Sequence, residues 1–263
     1  MPLGLPLVLL VGFAGVVGWK RARADVALRS MALPAAIAVV AALALWLGLY
    51  DAGSAMALAG IVLGLWAIVA SLRDLWLRAR GGRGVGSIPT SLWGMSLAHI
   101  GLGVFVVAVT AVSSFDIEQD IRLAPGETAS AGGYDFRFEG ASPATGPNYR
   151  AQRGHVVVSS EGRHIADLYP EKRHYPVRGD VMTQSSVTYT PLRDIYVSMG
   201  EPMAGGAWSM RVQVKPMMRL VWGGAALMML GGFVAAADRR YRRRTSDEAT
   251  RPGAAAAAGS AGA

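Results

Sequence analysis

Leu92 to Leu123 reads LWGMSLAHIGLGVFVVAVTAVSSFDIEQDIRL, and a change of rhythm inside it decides the fold. From Leu92 to Ser114 no residue carries a formal charge over 23 positions. At about 1.5 Å per residue that run crosses a hydrocarbon core of about 30 Å. From Ile117 the chain alternates, with Ile117, Gln119, Ile121 and Leu123 on one side and Glu118, Asp120 and Arg122 on the other. Period two is the mark of a half-buried strand. A membrane helix therefore feeds directly into a β domain.

Four further apolar blocks lie outward from this stretch: Leu3 to Trp19, Met31 to Tyr50, Ala52 to Leu72 and Met217 to Ala237. They explain a composition that is 52% hydrophobic and 17% charged over 263 residues, and they exclude a purely soluble protein. Basic residues mark alternate connectors. Lys20, Arg21, Arg23 and Arg29 follow the first block, Arg73, Arg78, Arg80 and Arg83 the third, and Arg239, Arg240, Arg242, Arg243 and Arg244 the fifth, whereas Asp51 separates the second from the third. The positive-inside bias then places the N-terminus, Asp51 and Phe115 to Pro216 outside, with the C-terminus in the cytoplasm. Because the charges of the first block follow its apolar stretch, a spanning helix is expected there instead of a cleavable signal peptide.

Phe115 to Pro216 holds 11 Lys/Arg and 12 Asp/Glu, so the net charge of +8 comes from the membrane flanks. That placement favours topology and anionic headgroups over nucleic acid. With no cysteine in the chain, disulfide frameworks, Cys-based zinc sites, iron–sulfur clusters, thiol nucleophiles and a C-x-x-C-H haem attachment are excluded. No repeat of fixed period is present. Within the outer segment the candidate strands are Ile117 to Leu123, Tyr134 to Glu139, Asn148 to Ser159, His164 to Tyr169, Val181 to Tyr189, Ile195 to Met199 and Trp208 to Val214. Turn pairs such as Pro125-Gly126, Gly132-Gly133 and Glu161-Gly162 punctuate them, which predicts a small antiparallel barrel or sandwich.

Of the four histidines only His99 lies within an apolar block, roughly 12 Å from its cytoplasmic end. An intramembrane ionisable residue most often binds something or lines a pathway. Two readings stay open for it: a hydrogen bond to a neighbouring helix, or axial ligation of haem iron, for which neutral imidazole is well suited. Gly94, Ala98, Gly101 and Gly103 surround it along the helix, and such small residues admit either another helix or a flat macrocycle. A bis-histidine site needs a second membrane histidine, which the apolar blocks do not contain. His155 and His164 fall in predicted strands without ligand spacing or a carboxylate pattern, and His174 falls in the charged loop Pro170 to Pro176; solvated roles are expected for all three. Gly60-x-x-x-Gly64, Gly223-Gly224 and Gly231-Gly232 read as helix-packing faces. No Ser/His/Asp, phosphate-cradling or paired-carboxylate constellation is present.

WGMSLAHIG (Trp93 to Gly101), PEKRHYPVRGDVMT (Pro170 to Thr183), RDIYVSMGEP (Arg193 to Pro202), WSMRVQVKPMMRLVWGGAALMMLGG (Trp208 to Gly232) and AADRRYR (Ala236 to Arg242) together resemble the C-terminal part of the cytochrome c maturation haem lyase family, CcmF/NrfE. The resemblance runs to about Arg244. It implies a place in covalent attachment of haem to apocytochrome c outside the bacterial inner membrane, with haem delivered by a haem chaperone. It further implies a b-type haem held between two transmembrane histidines, one of which matches His99, so that His99 is the cofactor-binding and iron-ligating residue expected here. Family members also carry a tryptophan-rich outer motif flanked by two haem-binding histidines. The seven Trp here, at 19, 46, 66, 76, 93, 208 and 222, are scattered singly, and His155, His164 and His174 do not inherit that role.

The expected protein is thus an α-helical integral membrane protein with five transmembrane helices and an inserted all-β periplasmic domain. Residues 1–114 are expected to hold helices one to four, 115–216 the β domain, 217–244 the fifth helix and a basic cytoplasmic end, and 245–263 a disordered tail. Its expected role is that of a split or truncated haem lyase component in the bacterial inner membrane, with no catalytic residue assigned. It would share haem b with a complementary lyase polypeptide carrying the Trp-rich motif, and nucleic acid is not an expected partner. The alternative is a membrane-anchored periplasmic binding or scaffold module without haem chemistry of its own. A transporter subunit is disfavoured, since no chain of charges crosses the helices.

Overall fold

A computed structural model describes residues 4–13, 24–49, 54–81, 84–177, 179–190 and 192–238. The chain divides into two compact units, Met1–Val107 with Leu220–Ala263, and Ala108–Arg219.

The first unit is helical, with α1 (Gly4–Val11), α2 (Ala24–Leu49), α3 (Ala55–Arg80) and the greater parts of α4 (Thr90–Phe115) and α5 (Met218–Ala236). Among the described residues four helices, α2 to α5, are long and apolar enough to cross a bilayer. The first expected span, Leu3 to Trp19, is helical over only eight described residues, and residues 14–23 lie outside the described ones. α1 stops against α3: the Trp66 indole N–H donates to the Leu9 carbonyl at 3.1 Å, and the Phe13 ring lies 5.4 Å from that indole. Gly12 is required there, because a Cβ would fall 1.9 Å from the same ring. α3 outruns its apolar block by about two turns, since Asp74 pairs with Arg78 at 2.8 Å and Arg80 stacks on Trp76 at 4.0 Å. These i, i+4 contacts carry the helix through residues expected to form a connector. Trp46, Trp76, Trp93 and Trp222 all sit within two turns of a helix end, the level at which indoles collect at membrane interfaces.

Small residues set the helix spacing. A Cβ on Gly101 would meet the Met228 nitrogen at 2.6 Å and the Gly224 oxygen at 2.8 Å, and one on Gly231 would meet the Ala98 nitrogen at 2.5 Å. α4 and α5 therefore touch backbone to backbone, as glycine seams in membranes permit. Gly64 and Gly103 bring α3 against α4 in the same way, each Cβ position lying under 3.0 Å from the other's carbonyl oxygen. The amino end of α4 is closed by Asp238, whose Oδ2 accepts the Ser91 N–H at 2.9 Å, a favourable place for a carboxylate.

The second unit is a β-sandwich. One sheet runs β1 (Ile117–Leu123), β10 (Trp208–Pro216), β9 (Arg193–Pro202), β8 (Ser186–Tyr189); the other runs β2 (Thr128–Ala131), β3 (Tyr134–Thr145), β4 (Arg150–Ser160), β6 (Glu171–Tyr175), β7 (Asp180–Gln184), with β5 (Arg163–Leu168) also on β4. Alternate residues face inward, so Phe136, Phe138, Val156 and Val158 of one sheet meet Ile195, Val197, Met199, Met210, Val212 and Val214 of the other, the usual two-layer arrangement. Two strands appear that alternation did not predict: β2, which is Thr-Ala-Ser-Ala, and β6, which places His174 in a strand instead of a loop. The predicted strand Val181 to Tyr189 is two. It changes sheets at Ser185, whose hydroxyl meets that of Ser198 at 2.7 Å, while Thr183 Oγ1 donates to the Met199 carbonyl.

Candidate functional site

His99 is half-buried in the middle of α4. Together with Met95, Ser96, Ala70, Ser71, Asp74, Val11 and Gly12 it lines a cleft of about 10 Å³, room for roughly one water. Ser71 spends its hydroxyl on the Ala67 carbonyl, 2.7 Å away, and Asp74 is held by Arg78. Among the described residues no hydrogen bond reaches the His99 ring. A larger groove of about 260 Å³ lies between α1, α2 and α3, walled by Leu9, Phe13, Met31, Ala35, Leu63 and Trp66 among others, and His99 is not part of it.

The small residues flanking His99 are filled by helix backbones, as Gly94 and Gly101 face α5 and Gly103 faces α3. Of the two tenants those residues admitted, the structure seats helices. Tested against a haem, the donor fits and the enclosed space does not. The imidazole is a suitable axial ligand, yet a cleft sized for one water holds no porphyrin. These residues can supply one bond to iron from one side; walls for a macrocycle have to come from outside this chain's described residues.

In the sandwich His155 and His164 are better partnered than expected. Nε2 of His155 lies 2.8 Å from Asp167 Oδ1 and Nε2 of His164 lies 2.9 Å from Asp167 Oδ2, and His155 stacks on Tyr169 at 4.9 Å. Strict alternation would send His164 and Asp167 to opposite faces. A bulge resolves this: the register steps from Val158↔Ala166 to Ser159↔His164, inserting Ile165 and flipping the parity. The hydrogen bonds from His155 and His164 hold the Asp167 carboxyl below its ordinary range. No group of three or more His, Cys, Asp or Glu suited to a metal ion occurs among the described residues.

Two buried carboxylates lie in the sandwich. Glu171 sits between Arg153 Nε at 2.6 Å and Arg173 Nε at 2.7 Å. Burial pushes its carboxyl up, but the hydrogen bonds from Arg173 and Arg153 overcome this and leave it below the ordinary value. Arg173 in turn covers the Tyr149 ring at 4.4 Å. Asp194 is the opposite case. Its Oδ1 is buried without a hydrogen bond, 3.8 Å from Arg219 Nε, and burial raises its carboxyl pKa despite that guanidinium. Neither carboxylate was legible as buried in the sequence.

Comparison with known proteins agrees with this architecture. The family model described as CcmF C-terminal beta-sandwich matches residues 114–216. The cytochrome c-type biogenesis protein CcmF of Pseudomonas aeruginosa is 37% identical over 229 residues, covering 85% of this chain and 34% of that protein. Its Escherichia coli namesake is 32% identical over 84% of this chain and 34% of its own length, and NrfE of Haemophilus influenzae is 29% identical over 62% and 24%. The chain thus spans about a third of the length of the curated relatives it matches. A solved structure titled Cytochrome c Heme Lyase CcmF superposes with a TM-score of 0.69 at 21% identity, over 89% of this chain and 38% of that one, a likeness of fold.

Proposed function

Since this chain carries the C-terminal part of the CcmF/NrfE cytochrome c-type biogenesis family, we propose that it is a component of a haem lyase, with His99 as one axial ligand of a shared b-type haem. The multi-pass helices set the imidazole at membrane depth. The single observation that carries the reading is that ring itself: half-buried, in the middle of a spanning helix, without a hydrogen-bond partner among the described residues. A group so placed is costly unless something ligates it. The second ligand and the walls around the macrocycle would come from parts of the lyase outside this sequence, together with the Trp-rich surface. A haem bound there supplies one-electron chemistry.

This chain's own part is to position. Gly103 against α3 and Gly101 against α5 clamp α4 from two sides, which fixes the direction in which the helix presents His99. The sandwich stands on the periplasmic side, where apocytochrome c and a haem chaperone meet the lyase, and the C-terminus is cytoplasmic in the bacterial inner membrane. The test is coexpression with the rest of the lyase followed by reduced-minus-oxidised spectra. His99→Ala is expected to abolish the b-type signal while the chain still copurifies with its partner. Retention of the full signal in that variant overturns the assignment. The tight cleft supports a second reading, a membrane-anchored scaffold without haem; on that reading the wild-type complex carries no b-type signal at all.

A further inference from the structure

At the end of the sandwich where the chain enters at Ile117 and leaves at Pro216, two large side chains stand in the open, one on the last residue of β8 and one just before β9. Tyr189 is 60% and Leu192 is 62% exposed. Their height is fixed by a backbone bond: the Met217 N–H donates to the Leu192 carbonyl at 2.7 Å, and Met217 immediately precedes α5. Thr190 and Arg193 are tied by further hydrogen bonds. Thr190 N–H donates to the Arg193 carbonyl at 2.9 Å, Arg193 N–H donates to Thr190 Oγ1 at 3.1 Å, and Arg193 Nη1 donates to the Gly132 carbonyl at 3.1 Å. Met217 itself takes a φ of 54°, a left-handed conformation that side chains other than glycine seldom adopt. Arg219, in the first turn of α5, lays its guanidinium 4.8 Å from the centre of the Tyr189 ring.

α5 is long and apolar enough to cross a bilayer, so its first residues stand at the membrane surface. Whatever is hydrogen-bonded to residue 217 stands there too. We propose that Tyr189 and Leu192 form an interfacial anchor that dips into the headgroup layer of the bilayer. Leu192 reaches the acyl boundary, the amphipathic Tyr189 ring lies at headgroup level, and the half-exposed Arg219 guanidinium faces lipid phosphate. Leucine, tyrosine and arginine are the residue types that make such contacts, and anionic lipid adds attraction for the cation. The backbone tie to a spanning helix favours lipid over a protein partner. Val177, 93% exposed between β6 and β7, has no such tie and serves as the contrast.

Because the chain has no cysteine, single reporters can be placed in the full-length protein. L192C and V177C variants, each labelled with an environment-sensitive fluorophore, are reconstituted in phosphatidylcholine and phosphatidylglycerol liposomes; Y189C gives a second reporter at the anchor. The L192C label is expected to shift to the blue, to be quenched by lipid spin-labelled near the headgroup, and to lose quenching by aqueous iodide. The V177C label is expected to show the reverse. Iodide quenching at both anchor positions equal to that at Val177 overturns the proposal. Shielding from lipid and iodide alike also overturns it, because that result assigns the patch to a protein partner.

Discussion

Gly101→Ala tests the backbone-to-backbone contact of α4 with α5. The new methyl would stand 2.6 Å from the Met228 nitrogen and 2.8 Å from the Gly224 oxygen, where ordinary contact begins at 3.4 Å. Both obstacles are backbone, so no side chain can swing aside and α5 has to retreat by about 0.8 Å. A gap of that size forfeits a quarter to a half of an attraction of about 0.1–0.2 kcal/mol per atom pair. Over roughly 40–60 pairs, mid-range values give a loss of about 2–3 kcal/mol, which agrees with the usual cost of overpacking. Gly231→Ala presses the same two helices apart, its methyl meeting Ala98 nitrogen at 2.5 Å. Once α5 has withdrawn for one methyl the second finds room, so the double variant is expected to cost about 3 kcal/mol, well short of the sum. Unfolding of the full chain by graded sodium dodecyl sulfate in mixed micelles measures all three. Single costs under about 0.5 kcal/mol, or strict additivity, would mean that the seam yields locally and that glycine does not set the helix spacing.

The sandwich supplies further tests. Phe138→Ala removes a fully buried ring between the sheets and is expected to destabilise by about 3–5 kcal/mol, read by hydrogen exchange at the β3 and β4 amides. Glu171→Gln leaves two arginines without their carboxylate; with Arg153 about half exposed, a loss of about 1–3 kcal/mol at pH 7 is expected. Since the Glu171 carboxyl is depressed, its contribution is present above the ordinary glutamate range and fades as pH falls through the folded value; a wild-type acid limb identical to that of Glu171→Gln would contradict this. Asp194 carries the reverse sign. Its raised carboxyl makes stability greatest below the unfolded aspartate value and lower as pH climbs through the folded one. Asp194→Asn is expected to flatten that slope and to shift stability at pH 7 by under about 1 kcal/mol, as followed by denaturant midpoints against pH.

Much of this architecture is legible from apolar runs and alternation, and the failures have physical causes. α2 to α5 announce themselves because a bilayer demands length and hydrophobicity, whatever the packing. β2 and β6 do not, since Thr-Ala-Ser-Ala has no large residue to alternate and Glu-Lys-Arg-His-Tyr buries its one inward carboxylate by pairing it with arginine. The Asp167 cluster was hidden by a bulge, which shifts parity without a signature in residue type. The glycine pairs were half right: Gly224 and Gly231 pack on α4, whereas Cβ atoms on Gly223 and Gly232 would meet nothing. A spacing of seven, repeated in Gly94 and Gly101, marks the seam better than adjacency does. His99 stands out in sequence, but the size of the cleft beside it depends on α3 and α1 and could not be read from α4.

The bond from Ser91 to Asp238 joins residues 147 positions apart. At about 5–20 residues per second, a ribosome needs roughly 7–30 s to make the intervening chain. For that interval α4 sits with its leading amides uncovered and its glycine groove vacant, while the sandwich between is still being translated. Closure of the amino end of α4 waits for the arrival of α5 and Asp238.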